Sequence, residues 1–271
     1  MRTISVINLK GGVGKTTTVI NMAAILAGIG KEVLVIDADP QANLTAFCGI
    51  ADPDKLCEQT LAQLLDLEDP SRSDIAADYV LPTPTAGVSL LPASIDLINA
   101  DIAAMKRGGS LRGIRDLLDS LNEDAWVENG VPEGGCDAFD YVLIDCPPSF
   151  TAASVAAIYA SDDVIIPVQA DLFSVLGLTT LLKQIDSVRR IQPRVHVAGA
   201  LVTMWHNSPA VVQGEAALRG SGIPIFEQTI RRSEKVTESV FLRQALQTYS
   251  PQSAAGRDYR AFVREYLEGV R

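Results

Sequence analysis

Residues 3–18 join an apolar run, a glycine-rich turn and the start of a helix, and that order limits what the chain can become. Thr3-Ile4-Ser5-Val6-Ile7-Asn8 has the β-branched content of a strand. Leu9-Lys10-Gly11-Gly12-Val13-Gly14-Lys15-Thr16-Thr17-Thr18 follows it directly. Glycines let successive backbone N–H groups converge on phosphate oxygens, and the helix beginning near Thr16 adds its positive end. Lys15 can reach β- and γ-phosphates, and the Thr16 hydroxyl can hold Mg²⁺. The segment therefore predicts a nucleoside triphosphate site on an α/β scaffold.

The rest of the chain fits that scaffold. Runs at 3–8, 32–36, 88–91, 141–144, 164–168, 195–202 and 225–228 read as strands, with helical stretches between and after them, including 16–28, 235–244 and 254–270. Val33-Leu34-Val35-Ile36 and Val142-Leu143-Ile144 do not alternate in polarity, as parallel strands buried on both faces do not. The expectation is a doubly wound, mostly parallel sheet with helices on both faces and a ligand at the carboxyl ends of the strands. At 271 residues, 1–271 reads as a single domain, with the acidic stretch 52–79 as a peripheral insertion and 129–135 as a loop.

Two further strand ends carry acids. Asp37 and Asp39 follow Val33–Ile36 and lie two apart, so on extended chain they point the same way. Asp145 follows Tyr141-Val142-Leu143-Ile144 and precedes Cys146-Pro147-Pro148, an arrangement suited to holding Mg²⁺ or its water. A turn or helix-cap role is the alternative for Asp37 and Asp39, as a solvated loop lysine is for Lys10.

The loop departs from G-x-x-x-x-G-K-[ST], because Leu9 stands where the first glycine belongs and Lys10 follows it. K-G-G-x-G-K-[ST]-T is the deviant Walker A form, and here the sequence resembles the ParA/MinD family of ATPases. It is similar to the ParA-type (Soj-like) partition members that have no N-terminal helix-turn-helix domain. The resemblance runs from about residue 2 to about residue 268 and is densest in the first 45. It implies ATP and Mg²⁺ as cofactors, contacts from Lys10, Gly11, Gly12, Val13, Gly14, Lys15, Thr16 and Thr17, and metal support from Thr16, Asp37 and Asp145. It also implies that Asp39 orients the attacking water, that Lys10 reaches the nucleotide of a partner subunit in an ATP-dependent homodimer, and that Gly11 faces the partner's loop.

The implied function is DNA partitioning: ATP hydrolysis, stimulated by a ParB-like partner protein, drives dimerisation and non-specific DNA binding. Net charge is −10, but residues 183–271 carry 13 Lys/Arg against 8 Asp/Glu. A basic face there could meet phosphates, with Arg219, Arg231, Arg232, Lys235 and Arg243 as candidates. Arg232 matches a family arginine and Arg231 replaces its usual proline. His206 and Ser208 stand where partition members often carry an aspartate and an arginine. The alternative is a MinD-like or other positioning ATPase acting on a membrane surface or a protein cargo. The last helix carries Tyr259, Phe262, Val263, Tyr266, Leu267 and Val270 as an apolar stripe, which reads as a core face rather than a membrane anchor. Cys48, Cys57, Cys136 and Cys146 show no C-x-x-C spacing, so a metal-cluster role is set aside. With no apolar run of 18 residues and no signal-peptide pattern, the expected location is the cytoplasm.

Overall fold

Among the described residues, seven strands form one sheet: β1 (Arg2–Val6), β2 (Val33–Asp37), β3 (Leu81–Pro82), β4 (Val88–Leu91), β5 (Tyr141–Asp145), β6 (Asp163–Gln169) and β7 (His196–Thr203). This computed structural model describes residues 1–52, 60–66, 77–107, 111–122, 139–171 and 173–269. The strand order is β3-β4-β2-β5-β1-β6-β7, and only the two-residue edge strand β3 runs antiparallel. From β1 the chain crosses β5 to reach β2, and from β5 it crosses β1 to reach β6. The connections thus diverge at the carboxyl ends of β1 and β5, which is where such sheets open a crevice.

The helices are α1 (Lys15–Gly28), α2 (Asn43–Phe47), α3 (Leu61–Asp66), α4 (Leu97–Arg107), α5 (Gly113–Asn122), α6 (Ala152–Ala160), α7 (Ser174–Arg189), α8 (Pro209–Arg219), α9 (Glu234–Phe241), α10 (Leu246–Tyr249) and α11 (Ala254–Gly269). Alternate strand residues feed two cores. Ile4, Val6, Val33 and Val35 pack under α1 and α11. Leu34, Ile36, Val142 and Ile144 pack under α3, α5, α6 and α7. The stripe of α11 is spent in the first core, where Tyr259, Phe262, Val263 and Tyr266 are buried and the Tyr266 hydroxyl donates to Asp163 at 2.6 Å. No helix among the described residues is long and apolar enough to cross a membrane.

Two expectations are corrected. Residues 225–228 do not form a strand. Ile225 makes one isolated bridge to Ala200, and the N–H groups of Glu227 and Gln228 donate instead to the Glu265 carboxylate at 2.6 and 2.9 Å. The helix expected at 235–244 stops at Phe241, and Arg243 turns the chain with φ +53°. Strand β3 and the short helices α2 and α10 were not foreseen, being only two to five residues long. Much of 52–79, and Cys57, Cys136 and 129–135, lie outside the described residues. Within that stretch α3 is anchored in the main core, with Leu61 and Leu64 buried.

Candidate functional site

The turn after β1 places its residues at the crevice by backbone conformation. Gly12 and Gly14 have φ of +71° and +90°, where a side chain would be strained, and Gly14 is the N-cap of α1. Lys15 opens the helix, is almost fully buried, and donates from Nζ to the Lys10 carbonyl at 3.3 Å. Burial lowers its pKa, against the opposing pull of Asp145 and Asp39. Lys15 is therefore a positive charge held largely out of water beside two acids.

Asp145 ends β5 and Asp37 ends β2, and the two are register partners on adjacent parallel strands. Thr16 donates from its hydroxyl to Asp145 Oδ2 at 2.6 Å, while Asp145 Oδ1 is buried without a hydrogen-bond partner among the described residues. Burial, and then the charge of Asp37, raise the Asp145 pKa well above the usual carboxylate range, with the Thr16 hydroxyl opposing. A buried carboxylate oxygen left unpaired next to a threonine hydroxyl fits a hard cation such as Mg²⁺.

Asp37, expected to support the metal, lies beside Asp145 and is bonded to its own following segment. Its oxygens accept from the N–H of Asp39 at 3.1 Å and from the N–H and hydroxyl of Thr45 at 2.8 and 2.7 Å. It thereby ties α2 to the end of β2. Burial pushes its pKa up to about 6 despite those bonds. Asp39 faces a cavity of about 570 Å³ together with Gly11, Gly12, Gly14, Lys15, Thr16, Thr17 and Arg243, so the expected phosphate and water residues share one space. Cys146 is buried behind them, and burial raises its thiol pKa, leaving it a packing residue.

Lys10 is ion-paired with Asp171 of its own chain, beyond the end of β6. Partial burial works against the Asp171 charge, but the bonds from Lys10 and Ser174 hold its pKa below the usual range.

A second cavity of about 590 Å³ adjoins the first through Gly14, Thr17 and Met204. Gln169, Asp171, Thr203, His206, Ile230, Val236 and Tyr259 also line it. Sequence reasoning assigned none of these to the site. The signal available was position, since Gln169 and Thr203 end strands on the side where the loop lies.

The five candidate cations divide. Arg231 makes a bidentate pair with Asp258, at 2.8 and 2.6 Å, and Arg219 pairs with Glu215 while donating to the carbonyls of Phe226 and Glu227. Lys235 pairs with Glu238. Arg232 and Arg243 are exposed and have no side-chain partner among the described residues. Ser208 is the N-cap of α8 and receives the N–H of Val211 at 3.4 Å, so this position serves the helix.

Known proteins match this arrangement over its whole length. A family model described as an AAA domain matches residues 1–197. The chromosome partitioning protein ParA of Caulobacter vibrioides is 32% identical, with 100% of this chain and 96% of that protein covered. The chromosome-partitioning ATPase Soj of Thermus thermophilus is 33% identical, covering 100% and 97%. The crystal structure of cobyrinic acid a,c-diamide synthase from Mycobacterium smegmatis with bound ATP analog and magnesium superposes with a TM-score of 0.80 at 29% identity, over 100% of this chain and 96% of that one. With its glycine-rich loop, its strand-end aspartates and its mostly parallel sheet, the chain belongs to the ParA/MinD family of deviant Walker A P-loop ATPases.

Proposed function

We propose that this protein hydrolyses ATP in a ParA-type cycle, dimerising when ATP is bound and then holding DNA without sequence preference. The observation that supports it most is the gathering of Lys15, Thr16, Asp39 and the orphaned Asp145 oxygen around one crevice. Gly12–Thr17 bind the triphosphate through backbone N–H groups and Lys15. Thr16 and Asp145 hold Mg²⁺, which when bound supplies charge neutralisation at the phosphate oxygens. Asp39 orients the attacking water from the turn after β2, and Lys10 adds positive charge across the dimer. The second cavity, with Met204, Ile230, Val236 and Tyr259 as apolar lining, takes the base and sugar.

DNA contact falls to Arg232 and Arg243, since Arg219, Arg231 and Lys235 are engaged within the chain. A cargo-bound ParB-like protein stimulates hydrolysis and resets the cycle. The test is a gel shift of random-sequence duplex with ATP, ADP and no nucleotide at two salt concentrations. Binding in ATP alone that weakens steeply with salt supports the cycle. No shift in any state removes DNA and leaves a positioning ATPase with a protein or membrane surface as its track.

A further inference from the structure

Two uncharged side chains, from β6 beside β1 and from the edge strand β7, hold the glycine-rich loop, and neither belongs to the residues so far given a role. Gln169 and Thr203 are register partners, the last rung of the β6–β7 ladder. Gln169 donates from Nε2 to the Gly12 carbonyl at 3.1 Å. Thr203 donates from Oγ1 to the Val13 carbonyl at 2.8 Å, in a buried bond. One rung thus grips two successive carbonyls of the loop.

Peptide planarity turns this grip into aim. In a trans peptide the carbonyl of one residue and the N–H of the next point in opposite directions, and no peptide bond among the described residues is cis. With the Gly12 carbonyl held toward β6, the Val13 N–H points away from it. With the Val13 carbonyl held toward β7, the Gly14 N–H does the same. The buried Val13 side chain and the φ of +90° at Gly14 leave the segment little freedom to rotate back. Without these donors, the freedom of Gly12 at ψ and of Gly14 at φ would leave the direction of both peptides less firmly set.

We infer that Gln169 and Thr203 are positioning residues for phosphate binding, which aim the Val13 and Gly14 N–H groups at a nucleoside di- or triphosphate. The assignment rests on the nucleotide reading proposed above. Both side chains are neutral, so they set direction without altering the charge of the cradle. Their loss therefore weakens polyphosphate binding more than binding of a ligand that ends at its first phosphate.

The experiment measures equilibrium binding of Mg-ATP, Mg-ADP and AMP to the full chain and to Thr203→Val, Thr203→Ser and Gln169→Leu. Thr203→Val exchanges the hydroxyl for a methyl of the same shape, and Thr203→Ser restores the donor. Gln169 is partly exposed, so its variant keeps the test alive if Thr203→Val folds poorly. The expected result is a loss of about tenfold in ATP and ADP affinity for Thr203→Val and Gln169→Leu, the scale of one well-placed hydrogen bond. Thr203→Ser stays within about twofold of the parent, and AMP affinity is unchanged throughout. Undiminished ADP binding by both donor-deleting variants overturns the assignment. So does an equal loss of AMP, which would put the two residues in the nucleoside cavity only. No ATP binding by the parent chain overturns the nucleotide reading itself, and this assignment with it.

Discussion

Lys10 and Asp171, 161 residues apart in sequence, form an ion pair within one chain at the mouth of the phosphate loop. A lysine that serves the nucleotide of a partner subunit must first leave this carboxylate. Both side chains are more than a third exposed, and exposed pairs are worth at most about 1 kcal/mol, so the release is cheap. Asp171→Asn is therefore expected to lower the ATP concentration needed for dimerisation by no more than about fivefold. Lys10→Ala is expected to bind ATP as a monomer and to lose turnover. Sedimentation velocity against ATP concentration reads the first effect and phosphate release the second. Undiminished hydrolysis by Lys10→Ala would remove the lysine from the partner's site.

Asp145 stores an unfavourable charge at the end of β5, beside Asp37. Its pKa is raised in the folded chain, so the stability it contributes is complete below the unfolded value near 4 and is lost as pH rises through the folded one. Asp37 adds the same sign, with its loss spread between about 4 and about 6. Asp145→Asn is thus expected to raise the melting temperature of the nucleotide-free protein, by more at pH 8 than at pH 5. The gain is on the order of 2–4 °C for each kcal/mol relieved. The same variant loses Mg²⁺-dependent ATP turnover. Calorimetry between pH 5 and 8 gives the comparison, and a variant that melts lower at pH 8 would contradict the account of a desolvated charge.

How far the chain could be read in advance follows from how local each determinant is. The loop at Gly11–Thr16 and the acids after β2 and β5 are contiguous in sequence, and each sits at a strand end marked by an apolar run. What depends on distant partners was not legible. Residues 225–228 look like a strand, but Glu265 from the last helix takes the N–H groups a ladder would need. Arg231 looks like a free cation, yet Asp258 binds it. Asp37 is marked by the end of its strand, but Thr45 on its carboxylate is not. The second cavity draws on strand ends and loops from Gly14 to Tyr259, so no single segment announces it.

The same distinction separates the arginines by experiment. Arg232→Ala and Arg243→Ala remove unpaired cations; because both also line the two cavities, the comparison is made at saturating ATP, where each is expected to weaken binding of all duplex sequences alike. Each should also reduce the slope of log affinity against log salt by about 1. Arg231→Ala strands the buried Asp258 carboxylate, which also accepts the Arg231 N–H at 3.0 Å. Its expected cost is stability, about 1–2 kcal/mol after allowing for the exposure of the guanidinium. Urea titration and salt-dependent DNA titration of the three variants distinguish the two classes. An Arg231→Ala protein of parental stability that loses the salt slope would move that residue to the DNA surface.

Gly11 tests the dimer most directly. A Cβ added there meets no atom of its own chain within 4 Å, and its backbone lies outside the left-handed region. Gly12 and Gly14 differ, because their positive φ demands glycine within the chain itself. Gly11→Val is therefore expected to fold with a change of no more than about 0.5 kcal/mol and to retain ATP binding. It should stay monomeric in ATP, because a side chain that meets nothing in its own chain would clash with a loop facing it from a second subunit. Gly12→Val and Gly14→Val should lose nucleotide binding first. Light scattering on the ATP-bound variants separates the two behaviours, and a Gly11→Val protein that dimerises like its parent would show that the two loops do not face each other.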